Sequence, residues 1–129
     1  MIVLWNSAGF TCQLLLLEGE TIVSDTYWDA GHELAKQMLG YLQSTLRTHS
    51  KDWDDITGIG VYRGPGSFTG LRIGLTVLNT LAHSKNIPIV GATGDAWQAT
   101  CRKRLASGEN DGIVLPEYGS EARVTSPRK

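Results

Sequence analysis

The sequence predicts an α/β fold built as a mixed five-stranded sheet with flanking helices. Three observations carry that prediction. Three short apolar runs joined by tight turns open the chain, as in an antiparallel meander. After residue 31 the apolar spacing lengthens from two residues to about 3.6, the period of a helix. Two later apolar runs are then separated by a helix-like stretch, which places them side by side and parallel.

Met1–Trp5 reads as a buried strand closed by the polar turn "NSAG", and Cys12–Leu17 as a second strand. "EGE" at Glu18–Glu20 makes a turn into Thr21–Trp28, whose β-branched and aromatic residues suit a third strand. From His32 to Leu46 the residues Leu34, Ala35, Met38, Leu39, Tyr41, Leu42 and Leu46 share one broad helical face, with Asp29 as the expected N-cap. Ile56–Tyr62 is a fourth strand, Thr69–Ser84 a second helix ended by "KNIP", and Ile87–Val90 a fifth strand. Ala92–Leu105 reads as a third helix, and Ile113–Leu115 as a short further strand before a polar tail. Residues 1–105 therefore form one lobe, and residues 106–129 a short strand with a tail. The order βββ-α-β-α-β-α is the layout of the ribonuclease-H-like, actin-type ATPase lobe.

Composition narrows the function classes. A chain of 129 residues with 41% hydrophobic content buries a core of its own. Its formal net charge of −1 supplies no global basic footprint for independent nucleic-acid binding. Two distant cysteines, Cys12 and Cys101, fit two buried thiols or one disulfide, and a reduced compartment is the expectation. No apolar run approaches the roughly 20 residues of a membrane span, and no secretory leader is recognisable. The expected location is the cytoplasm, without membrane contact.

"GPGSFTGLRIG", Gly64 to Gly74, is the stretch that asks for a function. It lacks the lysine of a phosphate-binding Walker loop and is one residue too long for a dinucleotide fingerprint. Gly64 and Gly66 permit unusual backbone angles, Pro65 stiffens the turn, and Ser67 or Thr69 can cap the following helix. Such a helix start can hold an anion or serve only as a rigid connector. Other chemistry is sparse. His32, His49 and His83 stand alone, Ser67 has no nucleophile elbow, and Asp52, Asp54 and Asp55 read as an exposed loop beside Trp53. "RKR" at Arg102–Arg104 and "RK" at Arg128–Lys129 are either solvated or turned toward nucleic acid in a larger assembly.

The glycine stretch, the apolar helix after it and "IPIVG" together resemble the TsaB (YeaZ) family. The resemblance covers roughly Met1 to Thr100, and "VLPEYGSEARVTSPRK" is similar to the family's ending. The motif residues are Gly64, Pro65, Gly66, Ser67, Phe68, Thr69, Gly70 and Arg72. The resemblance implies the non-catalytic partner of TsaD in bacterial tRNA threonylcarbamoyladenosine synthesis, contributing also to TsaE docking and reaching tRNA only indirectly. It implies no catalytic residue, no metal and no cofactor, with ATP bound only at an interface with TsaD. Two departures bear on this. Family members usually begin with a strand ending in Asp-Thr-Ser, where this chain has Trp5, Asn6 and Ser7, and an uncharged Asn6 is a poor magnesium ligand. Most of the family's second lobe is also expected to be absent.

The helices point to association. Around the second helix Leu71, Ile73, Gly74, Leu75, Val77, Leu78, Leu81 and Ala82 sweep an apolar arc of roughly 200°, and the first helix covers about 160°, where one sheet contact needs about 100°. Either the two helices pack on each other or the surplus surface meets a partner. The expected partner surface is Leu34, Met38, Leu42, Leu71, Gly74, Leu75 and Leu78, engaging TsaD or a second copy. The rival readings are a small nucleotide-binding or glycoprotease-like hydrolase on the same lobe, and a homodimeric binding protein unconnected with tRNA.

Overall fold

Strand order β3-β2-β1-β4-β5 places the first strand at the centre of a single five-stranded sheet. The structure, a computed structural model, describes residues 1–118. The strands are β1 (Ile2–Asn6), β2 (Thr11–Glu18), β3 (Thr21–Asp29), β4 (Gly58–Tyr62) and β5 (Ile89–Ala92). The helices are α1 (Leu34–Thr48), α2 (Phe68–Lys85) and α3 (Trp97–Ala106). β1, β2 and β3 pair antiparallel, whereas β1, β4 and β5 run parallel, as expected of a meander followed by crossover helices.

The two-residue alternation of β1 sorts the core into two layers. Val3 and Trp5 face α1 and α2 together with Leu14, Leu16, Ile59 and Val61, and Leu4 faces the side of α3 with Leu15, Leu17 and Val90. α1 enters the first layer with Leu34, Met38, Leu42 and Leu46, all buried at the spacing of one helical stripe. Burying each such side chain contributes about 1.5–3 kcal/mol. Trp28 of β3 stacks on Tyr41 of α1 at 4.6 Å, and the Tyr41 hydroxyl lies 2.6 Å from that of Thr26, which ties α1 to the far side of the sheet. α2 ends where Asn86 adopts a left-handed conformation and its N–H returns to the carbonyls of Ala82 and His83.

Several element boundaries differ from the sequence expectation. Asp29 does not cap α1. Its carboxylate accepts a hydrogen bond from Thr11 across the β2–β3 pair at 2.5 Å, and a 3-10 turn at Gly31–Glu33 leads into the helix instead. β5 starts two residues late and keeps Ala92, and α3 starts only at Trp97, after a turn in which Gly94 has φ 81° and its carbonyl accepts the Trp97 N–H. Ile113–Leu115 is not a strand. Asn79 of α2 holds Val114 from both sides, donating to its carbonyl at 2.9 Å and accepting from its N–H at 2.8 Å, so these groups are not free for a ladder. The ending from Gly119 onward, with Arg128 and Lys129, lies outside the described residues.

Candidate functional site: the glycine loop and the paired-helix face

The glycine stretch leaves β4 and becomes the first turns of α2. Gly64 has φ 133°, a conformation open to glycine, and the Gly64–Pro65 peptide is cis. A side chain at Gly64 would strike the carbonyl of Glu117. Ser67 caps α2, its hydroxyl accepting the N–H of Gly70 at 3.4 Å. The Ser67 N–H is not available to a ligand, because it donates to the carbonyl of Ala8 at 2.7 Å.

The stretch packs against the turn that ends β1. A Cβ on Gly66 would lie 2.5 Å from the Ala8 Cβ, one on Gly70 would meet the Ser7 carbonyl, and one on Gly74 would lie 2.6 Å from the Trp5 indole nitrogen. The indole N–H of Trp5 donates to the Ser7 hydroxyl at 2.9 Å, and that hydroxyl donates to the Gly70 carbonyl at 2.8 Å. Ser7 is 2% exposed, so this relay satisfies a buried polar side chain. Trp5, Ser7 and Ala8 were not legible as partners of the motif. The four-residue spacing of Gly66, Gly70 and Gly74 is the signal that could have revealed them.

Beside this joint an open hollow of about 460 Å³ lies over the end of the parallel strands, lined in part by Asn6, Thr11, Tyr62, Gly66 and Asp95. The Asn6 side-chain oxygen is engaged within its own turn, accepting the Ala8 N–H at 2.8 Å. The Tyr62 hydroxyl donates to the Pro65 carbonyl at 2.7 Å. Among the described residues no group of three His, Cys, Asp or Glu side chains is placed to hold a metal ion. Burial pushes the thiols of Cys12 and Cys101 up to about 11, so both are unreactive at neutral pH, and both are free. Asp52 caps a short turn at Trp53–Asp55 by accepting the Trp53 N–H, and hydrogen bonds from Gln43 and that N–H hold its carboxyl below the usual carboxylate range. His49 sits at the end of α1 against the Thr45 carbonyl, while His32 and His83 are exposed and apart. Arg104 is not a solvated helix end: it pairs with Glu109 and Asp111.

The expected partner surface needs correction. Leu34, Met38, Leu42, Leu71, Gly74, Leu75 and Leu78 are buried within the chain, against its own sheet and between its own helices. Gly74 admits Trp5 and Ser7, not a foreign helix. The outward edge of the α2 arc is Ile73, Val77 and Leu81, each only partly buried. Ile73 and Val77, with Ala35, Thr69, Arg72 and Thr76, line a largely apolar groove of about 310 Å³ between α1 and α2, and Leu39 on α1 is 51% exposed. Arg72 lies 5.0 Å from the centre of the exposed Phe68 ring at the head of the same helix. No described helix is long and apolar enough to cross a membrane.

Comparison with known proteins places this architecture. The family model described as "TsaD: tRNA N6-adenosine threonylcarbamoyltransferase" matches residues 29–95, just over half of the chain. The TsaB protein of Bacillus subtilis, named as a tRNA threonylcarbamoyladenosine biosynthesis protein, is 33% identical over 116 residues, covering 88% of this chain and 47% of the relative. The Escherichia coli TsaB is 36% identical over 61 residues, 47% of this chain and 26% of the relative. The structure of YeaZ from Pseudomonas aeruginosa superimposes with a TM-score of 0.67 at 23% identity, over 83% of this chain and 49% of that one, and shares its ribonuclease-H-like, actin-type fold. The chain spans about half the length of the Bacillus relative. By the model match, and by the likeness to TsaB proteins along most of its length, this chain belongs to the TsaB (YeaZ) family.

Proposed function

We propose that this chain acts in the formation of threonylcarbamoyladenosine on tRNA as a non-catalytic partner of TsaD, which it meets through the α1–α2 face. The observation that carries the reading is the groove between these helices, with Ile73 and Val77 turned outward on helices that already fill their own core. The segment matched by the TsaD model, residues 29–95, contains both helices, so a TsaD protein carries a related pair. Two such pairs can pack as a four-helix bundle, each covering the other's apolar edge.

A supporting role suits the rest of the site. The glycine loop commits the Ser67 N–H and the Gly70 carbonyl to the β1 turn, Asn6 is uncharged and internally engaged, and the two thiols are buried. In this reading ATP would occupy the hollow beside Asn6 only where TsaD completes it. TsaE would dock on the assembled pair, and tRNA would be reached through the complex. The same face could also accept a second copy of this chain, and the decisive test treats that as a competing outcome. Sedimentation velocity of the chain mixed with TsaD from the same organism should give a one-to-one complex. A mixture in which the two proteins sediment separately would overturn the proposal.

A further inference from the structure

The outer edge of β5 ends the sheet, and its polar groups are all engaged. Strand β5 uses alternate residues toward β4: Ile59 N–H donates to the Pro88 carbonyl at 3.0 Å and Arg63 N–H to the Ala92 carbonyl at 2.9 Å. By that alternation Ile89 and Gly91 direct their N–H and C=O groups away from the sheet. All four have partners. The Ile89 N–H donates to the Asn110 side-chain oxygen at 3.1 Å, and the Ile89 carbonyl accepts the Asp111 N–H at 2.8 Å. The Gly91 N–H donates to the Asp111 carboxylate at 3.0 Å, and the Gly91 carbonyl accepts from Arg104 at 2.9 Å. Three of these four partners are side chains. The preceding Pro88 has no N–H to offer.

The same residues brace one another. Arg104 forks across Asp111, with nitrogen–oxygen distances of 3.0 and 2.5 Å, and its third nitrogen pairs with Glu109 at 2.7 Å. Asn110 also accepts the Gly112 N–H at 2.8 Å, which fixes the turn. Val114, 2% exposed, then lies over Gly91, where an added Cβ would be 2.5 Å from a Val114 methyl.

An exposed sheet edge with unpaired N–H and C=O groups is a template for a further strand, from another molecule above all. We infer that Asn110, Asp111 and Arg104 form a side-chain plug that imitates a sixth strand and closes the β5 edge against strand addition. The plug stops the sheet at β5 without a ladder that a second copy could extend. Association is thereby denied at this edge and left to other surfaces, and this holds whatever partner those surfaces take.

Residue-resolved hydrogen exchange and sedimentation velocity on the whole chain test the plug. In the parent protein the Ile89 and Gly91 amides should exchange slowly, although they lie on the outermost strand. Asp111→Ala should speed exchange at Gly91 at least tenfold while Val90 and Ala92, whose groups face β4, stay protected; that alternation separates plug opening from unfolding. Asn110→Ala should do the same at Ile89, and serves alone if the Asp111 variant does not fold. The double variant Asn110→Ala/Asp111→Ala, which frees both outward amides of β5, should self-associate as its concentration rises. Unchanged exchange at both amides would overturn the plug. Faster exchange without self-association would overturn its role against strand addition.

Discussion

Leu75 and Val77 lie two residues apart on α2, and a glutamate at each separates core from contact surface. Leu75 is 3% exposed inside the layer between helices and sheet. Leu75→Glu forfeits about 1.5–3 kcal/mol of apolar burial. It also places an unpaired carboxyl where water is excluded, at a further cost of several kcal/mol. Their sum approaches the whole 5–15 kcal/mol by which domains of this size are stable, so the variant should not fold at room temperature. Val77 is partly buried at the groove, and a glutamate there keeps its charge in water. Its loss is a fraction of one valine's burial, about 1 kcal/mol, or a melting point lowered by about 3–6 °C. In a bundle with TsaD the same carboxylate would be buried against apolar helices, weakening association at least thirtyfold, about 2 kcal/mol. Circular dichroism melting reads the first effect, and sedimentation velocity with added TsaD the second. A folded Leu75→Glu variant would refute the core assignment. A folded Val77→Glu variant that binds TsaD as the parent does would refute the interface.

Three further outcomes are expected. Gly66→Val should lower stability by about 1–3 kcal/mol in a denaturant titration, because the new side chain meets Ala8 at 2.5 Å before any ligand is involved; unchanged stability would disprove the close packing of loop and turn. Hydrogen bonding from Arg104 holds the Asp111 carboxyl below its ordinary range, so the pair stabilises the fold above the unfolded-state pKa of about 3.9 and the contribution is lost as pH falls through the lower folded value. Asp111→Asn should therefore flatten the acid limb of a melting-temperature profile below about pH 4 and leave its shape above pH 5 unaltered. Cys12 and Cys101, with thiols raised to about 11, should react with an aromatic disulfide at pH 8 only on unfolding, and prompt modification of the native protein would contradict their burial.

Local patterns carried most of the fold. Alternation in β1 and β2, the stripe of α1 and the crossover between β4 and β5 are all written in neighbouring residues, and the structure agrees with them. What escaped were pairings between distant residues. Asp29 has the chemistry of a cap, but Thr11, eighteen positions earlier, claims it. Ile113–Leu115 looks like a strand until Asn79 takes both polar groups of Val114. The wide apolar arc of α2 was visible as an excess, yet an arc has two edges and sequence does not say which one meets a sheet. Leu71, Leu75, Leu78 and Ala82 turned inward, leaving Ile73 and Val77 partly exposed at the groove, so a surface expected from the most apolar positions lay on the wrong side. The family was legible in the glycine motif, whereas the purpose of its glycines emerged only with the β1 turn beside them.

Gly66, Gly70 and Gly74 form a keyway, and Trp5, Ser7 and Ala8 are the key seated in it. A helix lying on a sheet by leucines alone can roll a few degrees with little cost, since greasy contacts are not directional. α2 cannot, because backbone meets backbone at Gly70 and the Ser7 relay fixes its angle. The rotational setting of Val77, two turns beyond Gly70 along the same helix, is thus inherited from the end of the first strand. A change in "WNSA" would re-aim a surface it never touches, and the motif could be moved to another scaffold only together with that turn.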